Sequence, residues 1–337
     1  MDNSLILRVR TLRTYFHLDE GTLKAVDGVD LDIQREKTLG VIGESGCGKS
    51  VTAYSIMRTV VPPGRIVDGT IEFLLSSGER VDLTKLDPFG RKMRSIRGRE
   101  IAMIFQEPMA SLSPVHTIGD QITETLLLHK TSSKKEAREL ALEMLRRVGL
   151  PNPTQHFSQY PHQLSGGMCQ RAMIAQALSC NPSLLMADEP TTALDVTVQA
   201  QILELIQQLQ QDFGMSVLYI THDLGVIAEI ADTVAVMYLG RIVETAPTRA
   251  IFKNPLHPYT KRLLKAIPNL KLGGSKRLEN IEGNVPVPLD PPEECGFYSR
   301  CLIRKDGLCN RAVPALTEIE PGHYVRCFLV EDGQGGL

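Results

Sequence analysis

Apolar positions change their spacing several times along this chain, and each change predicts a different element. Up to about Arg35, short apolar runs alternate with polar residues and turns, as in LILRVRTL and AVDGVDLDI, which predicts a small antiparallel sheet. Thr38 to Ile42 (TLGVI) is a compact apolar strand that runs into a glycine-rich loop, and the following VTAYSIMRTV has a helical period. A second helix is predicted from Ser133, with Ser133 and Glu136 as a capping box. Its shared face is Ala137, Leu140, Ala141, Met144, Leu145 and Val148, and Gly149 ends it. Leu184 to Ala187 is another buried strand. The helix after it carries Val198, Ile202, Leu205, Ile206, Leu209 and Phe213 on one face, Gly214 stops it, and a strand follows at Ser216 to Ile220. Strands alternating with helices predict an α/β fold, a mostly parallel sheet with helices on both faces.

Composition narrows the class. The 337 residues suggest one large or two modest domains, and 42% hydrophobic residues supply a real core. With 37 Lys and Arg against 39 Asp and Glu, the formal net charge of −2 gives no field that would attract nucleic acid or an anionic membrane. No uncharged apolar run approaches the ~20 residues that cross a bilayer. The opening MDNSLILRVR lacks the pattern of a cleaved leader, so a reducing, cytosolic setting is expected, and with it seven cysteines that act as thiols or ligands rather than as disulfides. The basic cluster Arg91, Lys92, Arg94, Arg97 and Arg99 has few interleaved aromatics and the acidic neighbours Asp87 and Glu100, so it reads as a solvated face.

Three motifs carry chemistry. Gly43-Glu44-Ser45-Gly46-Cys47-Gly48-Lys49-Ser50 fits G-x-x-x-x-G-K-[ST], where glycines turn backbone N–H groups inward around phosphates at the start of a helix. Lys49 is placed for β/γ-phosphates and Ser50 for Mg²⁺, while Cys47 contributes its backbone. The strand ending Asp188-Glu189 delivers two carboxylates where open α/β sheets bind ligands. Asp188 is the candidate Mg²⁺ ligand and Glu189 the group that polarises an attacking water, the alternative being a pair of acids that cap the next helix. Leu164-Ser165-Gly166-Gly167-Met168 opens a helix running to about Ser179, which is either a second anion site or a plain N-cap.

The order of phosphate loop, Gln106 in IFQEP, LSGGM, LLMADEP, Ala193-Leu194-Asp195 and Thr221-His222-Asp223 resembles the nucleotide-binding subunit of ABC transporters. QEPMASLSP, YPHQLSGGMCQRAMIA, ADEPTTALDVTVQAQI, THDLGVIA and NPLHPYTKRLL are similar to the ATPase subunits of oligopeptide and dipeptide importers, over essentially the whole chain. The resemblance implies a P-loop ABC cassette at 1–267, with an N-terminal antiparallel β subdomain and a helical subdomain at about 107–180 that bears the signature motif. A small Cys-rich C-terminal module of the oligopeptide-transporter type is implied at 268–337. It implies an ATPase that uses ATP and Mg²⁺ and energises peptide import through two permease subunits and an extracytoplasmic binding protein, at the cytoplasmic face of the membrane.

Two cassettes, from a related second chain or a second copy, are implied to close head to tail, so that Ser165, Gly166 and Gly167 act on the partner's nucleotide. By the same resemblance Gln106 senses Mg²⁺ and the attacking water, His222 touches the γ-phosphate, and Val51 and Asp195 complete the nucleotide contacts. On residue type alone, Gln106 is an ordinary surface amide and His222 a satisfied core histidine. The resemblance also implies that an aromatic at Tyr15 or Phe16 stacks on adenine, with Phe16 in the better register, the alternative being core packing. Departures are Thr192-Ala193-Leu194-Asp195 where many relatives have Ser, and Cys169 where a basic residue is common. Nickel, oligosaccharide or antimicrobial-peptide transport, and soluble ABC ATPases, are the alternative functions.

Four cysteines fall in the tail as Cys295-x5-Cys301-x7-Cys309-x17-Cys327. The spacing lacks the tight knuckle of structural zinc sites, and four thiolates suit a [4Fe–4S] cluster, with zinc or unliganded thiols as alternatives. Some of the importer ATPases carry such a cluster in a similar C-terminal region.

Overall fold

The computed structural model describes residues 4–192, 194–265 and 289–331; Ala193 and the expected boundary at 267/268 lie outside the described residues. Among the described residues twelve strands are formed: β1 (Leu5–Leu18), β2 (Gly21–Gln34), β3 (Thr38–Ile42), β4 (Gly64–Leu74), β5 (Arg80–Asp82), β6 (Ile101–Ile104), β7 (Leu184–Asp188), β8 (Ser216–Thr221), β9 (Thr233–Tyr238), β10 (Arg241–Pro247), β11 (Thr317–Glu320) and β12 (His323–Val325). Their hydrogen-bonded orders are β2-β1-β4-β5 and β11-β12-β10-β9-β3-β8-β7-β6. Every residue of β3, β7 and β8 is buried, which is why these strands read as continuous apolar runs. Each Leu, Ile or Val so buried contributes about 1.5–3 kcal/mol. The chain divides into two compact units, residues up to Leu7 with 33–37 and Glu72–Tyr219, and Arg8–Asp32 with Thr38–Ile71 and the residues from Ile220 on.

In the first unit β6 and β7 run parallel, from Ile101 opposite Leu184 to Ile104 opposite Ala187. The helix Lys134–Arg147 starts and stops as its sequence predicts, with Ser133 Oγ accepting from Glu136 N at 3.3 Å and Gly149 at φ +69°. Only half of the capping box forms, because the Glu136 carboxylate accepts from the Thr131 hydroxyl instead. Ala137, Ala141, Met144 and Leu145 make the buried face, packed against the helices Ile118–His129 and Gly166–Leu178. The helix Val196–Phe213 ends at Gly214, φ +61°. In the basic segment, Met93 and Ile96 are buried while Arg91, Lys92, Arg94 and Arg99 face solvent. Lys92 pairs with Glu79 at 3.0 Å, so this is a solvated face, as expected.

In the second unit β3 pairs with β9 in parallel, but the far side of β9 is antiparallel. β10 returns along β9 with a register shift between Ile242 and Glu244, and β12 then pairs with β10, Glu244 opposite Val325. The expected separate C-terminal module is therefore corrected: β11 and β12 extend this unit's sheet, and the mostly parallel sheet becomes a mixed one. Glu244, 0% exposed, is what fixes the join. Its carboxylate accepts from Leu256 N (2.7 Å), His257 N (3.0 Å) and His323 Nε2 (2.8 Å). Burial raises its pKa, but the hydrogen bonds from His323, Thr260, Leu256 and His257 outweigh that and hold it below the usual value.

His257 beside it is buried, and its Nδ1 accepts from Tyr259 N at 3.1 Å. Desolvation pushes its pKa down to about 4, against the opposing pull of Glu244. The unfolded chain thus binds a proton that the folded one does not, and stability falls as pH drops from the unfolded value of ~6.5 toward the folded one. Denaturant unfolding is expected to lose about 2 kcal/mol between pH 7.5 and pH 5 from this group alone. In His257→Asn that slope should largely vanish, and an unchanged slope would remove His257 as its source.

Candidate nucleotide site

The phosphate loop belongs to the second unit and joins β3 to the helix Lys49–Ile56. Its glycines answer to specific neighbours. A Cβ on Gly48, at φ +104°, would lie 2.1 Å from the Ala25 carbonyl oxygen, and one on Gly43 would lie 2.3 Å from the Met237 carbonyl oxygen. Gly240 N donates to Cys47 O at 2.9 Å, so β2, the β9–β10 turn and the loop meet backbone to backbone. Lys49 is 5% exposed, with Nζ donating to Gly43 O (2.8 Å) and Glu44 O (3.1 Å), which curls the loop around its ammonium. No acidic residue stands in the helix's first turn to compete with an anion. Ser45 and Gly46 are exposed, and Ser50 and Val51 partly so. Cys47 is 1% exposed and burial pushes its thiol pKa up, so the sulfur fills space and the backbone serves the loop.

The same unit holds both candidate aromatics, each half-buried. Tyr15 donates its hydroxyl proton to Asp27 at 2.6 Å, and Asp27 also receives Arg241 and Arg13. Burial, then the Asp27 hydrogen bond, raise the Tyr15 pKa beyond its ordinary range. Phe16 has no such tether and lies beside Gly64 and Val60. His222 follows β8 and is exposed, which overturns its reading as a core histidine, while Asp223 caps the helix Leu224–Ile230.

The first unit carries the carboxylates. Because β6 and β7 are in register, the residues just past their ends emerge together: Gln106 Nε2 donates to Glu189 Oε2 at 3.3 Å. Asp188 is 1% exposed at the end of β7, and Glu189 takes φ +46°, a conformation costly for a non-glycine residue. Thr192 Oγ1 donates to Glu189 Oε2 at 3.0 Å and Thr192 N to Glu189 O at 3.2 Å, a bracing that the sequence reading missed. The alternative that the two acids cap the next helix is also corrected, since the cap of Val196–Phe213 is Asp195, accepting from Val198 N at 3.0 Å. Ser165 caps Gly166–Leu178 through Met168 N at 3.4 Å, Gly166 is open to solvent, and a Cβ on Gly167 would lie 3.2 Å from Val198 Cγ1.

Cys301, Cys309 and Cys327 are buried and Cys295 half-buried. Burial first, and the neighbouring thiols second, push Cys295 up to about 12, and burial raises Cys301 and Cys327 as well. Among the described residues no group of three or more His, Cys, Asp or Glu side chains is arranged to hold a metal ion, so the structure does not support the expected [4Fe–4S] or zinc site at these four. Cys169, approaching Pro161 O at 3.3 Å, and Cys180 are packing residues.

Fold and loop together define an ATP-binding cassette. A family model described as "ABC transporter" matches residues 26–192, and one described as "Oligopeptide/dipeptide transporter, C-terminal region" matches 243–309. The chain is 51% identical over 330 residues to the oligopeptide transport ATP-binding protein AppD of Bacillus subtilis, covering 98% of each. It is 48% identical over 325 residues to the dipeptide transport ATP-binding protein DppD of the same species (96% of this chain, 94% of the relative). A putative peptide import ATP-binding protein of Brucella melitensis is 49% identical over 335 residues, 97% and 98% covered. Among solved structures, the cassette MJ0796 bound to ADP and phosphate matches with TM-score 0.63 at 26% identity, over 72% of this chain and 99% of that one. This chain belongs to the ATP-binding subunits of the oligopeptide/dipeptide branch of the ABC transporter family, and it is an ATPase.

Thr192→Val should leave the KM for ATP unchanged and lower kcat roughly three- to tenfold, the worth of one hydrogen bond to a carboxylate. Steady-state ATPase assays check it, and an unchanged kcat would mean that Thr192 does not hold Glu189.

Proposed function

We propose that this chain energises the import of di- and oligopeptides through separate membrane permeases. Full-length likeness to relatives named for oligopeptide and dipeptide transport carries the reading of the substrate. In the proposed cycle two cassettes close head to tail, this chain with a related second chain or with its own copy, and Ser165, Gly166 and Gly167 face the partner's ATP. The phosphate loop, from Gly43 to Val51, wraps the phosphates, and Lys49 neutralises them. Ser50, Asp188 and Gln106 would hold Mg²⁺, which when bound offsets charge on the β- and γ-phosphates. Glu189 polarises the water, His222 meets the γ-phosphate, and Asp195 lines the dimer seam. The Glu189–Gln106–Thr192 arrangement supports the hydrolytic role. Phe16 is the proposed adenine platform, since the Tyr15 hydroxyl is committed to Asp27.

No described helix is long and apolar enough to cross a membrane. In the proposed assembly the chain sits at the cytoplasmic face on the permeases, with an extracytoplasmic binding protein choosing the substrate. For Glu189→Gln, ATP binding should persist while turnover falls at least about 100-fold, with a closed dimer on gel filtration. Unchanged hydrolysis would take Glu189 out of the mechanism. Peptide uptake by cells with and without the gene tests the substrate class.

The proposal extends to the tail. Cys295, Cys301, Cys309 and Cys327 are the set that would hold a [4Fe–4S] cluster, in a structural or regulatory role. Supporting it are their burial and the backbone hydrogen bond from Cys295 N to Cys309 O at 3.0 Å; burial chiefly, and the other three thiols to a smaller extent, raise the Cys295 pKa. Anaerobically purified protein should contain about four irons per chain with absorbance near ~400 nm. Stoichiometric zinc without iron, or no metal at all, would overturn this reading.

A further inference from the structure

Glu44 is an acid inside an anion-binding loop, where an unpaired carboxylate would repel the phosphates that the loop receives. The C-terminal region answers it. Arg300, buried and 256 residues away in sequence, grips Glu44 in a two-point pair, NH1 to Oε2 at 2.8 Å and NH2 to Oε1 at 3.0 Å. A second support comes from Tyr259, whose hydroxyl oxygen accepts from Glu44 N at 3.0 Å. Arg300 is itself held: NH1 also reaches Tyr238 Oη at 3.3 Å, and its backbone oxygen accepts from Arg262 at 2.9 Å. Tyr238, Tyr259 and Phe297 pack tilted and edge-on against one another with ring centroids 4.7–5.4 Å apart, and the Arg300 guanidinium lies over the Tyr238 ring at 5.8 Å. Phe297 and Arg300 both lie on the hydrogen-bonded turn between Cys295 and Cys301, in which Tyr298 N donates to Cys295 O and Cys301 N to Tyr298 O.

We propose that Arg300 is a positioning residue for ATP binding: it neutralises the Glu44 carboxylate and, with Tyr259 holding the Glu44 backbone, sets the phosphate loop, so that the cysteine-bearing turn controls nucleotide affinity. A bidentate pair whose arginine is buried and whose carboxylate is only partly exposed is costly to break on one side, because the orphaned charge remains. Here that charge would stand in the path of the triphosphate.

The test is MgATP affinity of the full chain by titration calorimetry, with kcat and KM measured alongside. Arg300→Met should weaken binding about tenfold and raise KM with little change in kcat, Arg300→Lys should recover part of it, and Tyr259→Phe should weaken binding roughly two- to threefold. Adding Glu44→Gln to Arg300→Met should restore most of the affinity, because it removes the unpaired charge. As a control for general destabilisation, Val325→Ala should lower the unfolding midpoint without weakening ATP binding. Should Arg300→Met fail to fold, Arg300→Lys, Tyr259→Phe and Glu44→Gln with Arg300→Met decide the matter. Wild-type affinity in Arg300→Met and Tyr259→Phe, or a double variant that binds ATP no better than Arg300→Met, overturns the proposal.

Discussion

Between Gly48 and the Ala25 carbonyl there is no room for a single added carbon, and the second unit is organised around that closeness. Because the two backbones touch, the loop is fixed from outside by β2 and by Gly240, rather than by its own few hydrogen bonds. The loop backbone is therefore held without a ligand to order it, which lowers the entropic cost of binding phosphate. Lys49 can be buried only because Gly43 and Glu44 turn their carbonyls toward it.

The first unit solves a different problem. The carboxylate of Glu189, the proposed catalytic base, is given its direction at the expense of backbone strain. The in-register ends of β6 and β7 bring Gln106 to it, and Thr192 donates to the same carboxylate oxygen, Oε2. Both neighbours are uncharged donors, an amide and a hydroxyl.

Much of this was legible in the chain. The phosphate loop, the strand before Asp188 and the helix from Ser133 are local: their residues lie within one turn or one strand of each other, so spacing alone expresses them. The cap at Asp195 was missed because two acids nearer the strand, Asp188 and Glu189, competed for the same role. Thr192 carries no signal beyond being a small polar residue in a loop. Long-range pairings were invisible for a physical reason: β11 and β12 are four and three residues long, too short for a period, and their partner β10 lies far upstream. Arg300 and Glu44 likewise became partners only through the fold.

The join at β12 has a consequence for solubility. Strand β10 would otherwise present its outer row of N–H and C=O groups to any passing chain, flanked by the apolar Ile242, Val243 and Ala246. β12 occupies that row, and the sheet then ends in β11, a short TEIE strand whose Glu318 and Glu320 face solvent. A sticky border has been exchanged for an acidic one that repels its own copies. The C-terminal strands thus act as the sheet's guard against edge-to-edge association, whatever the cysteines beside them hold.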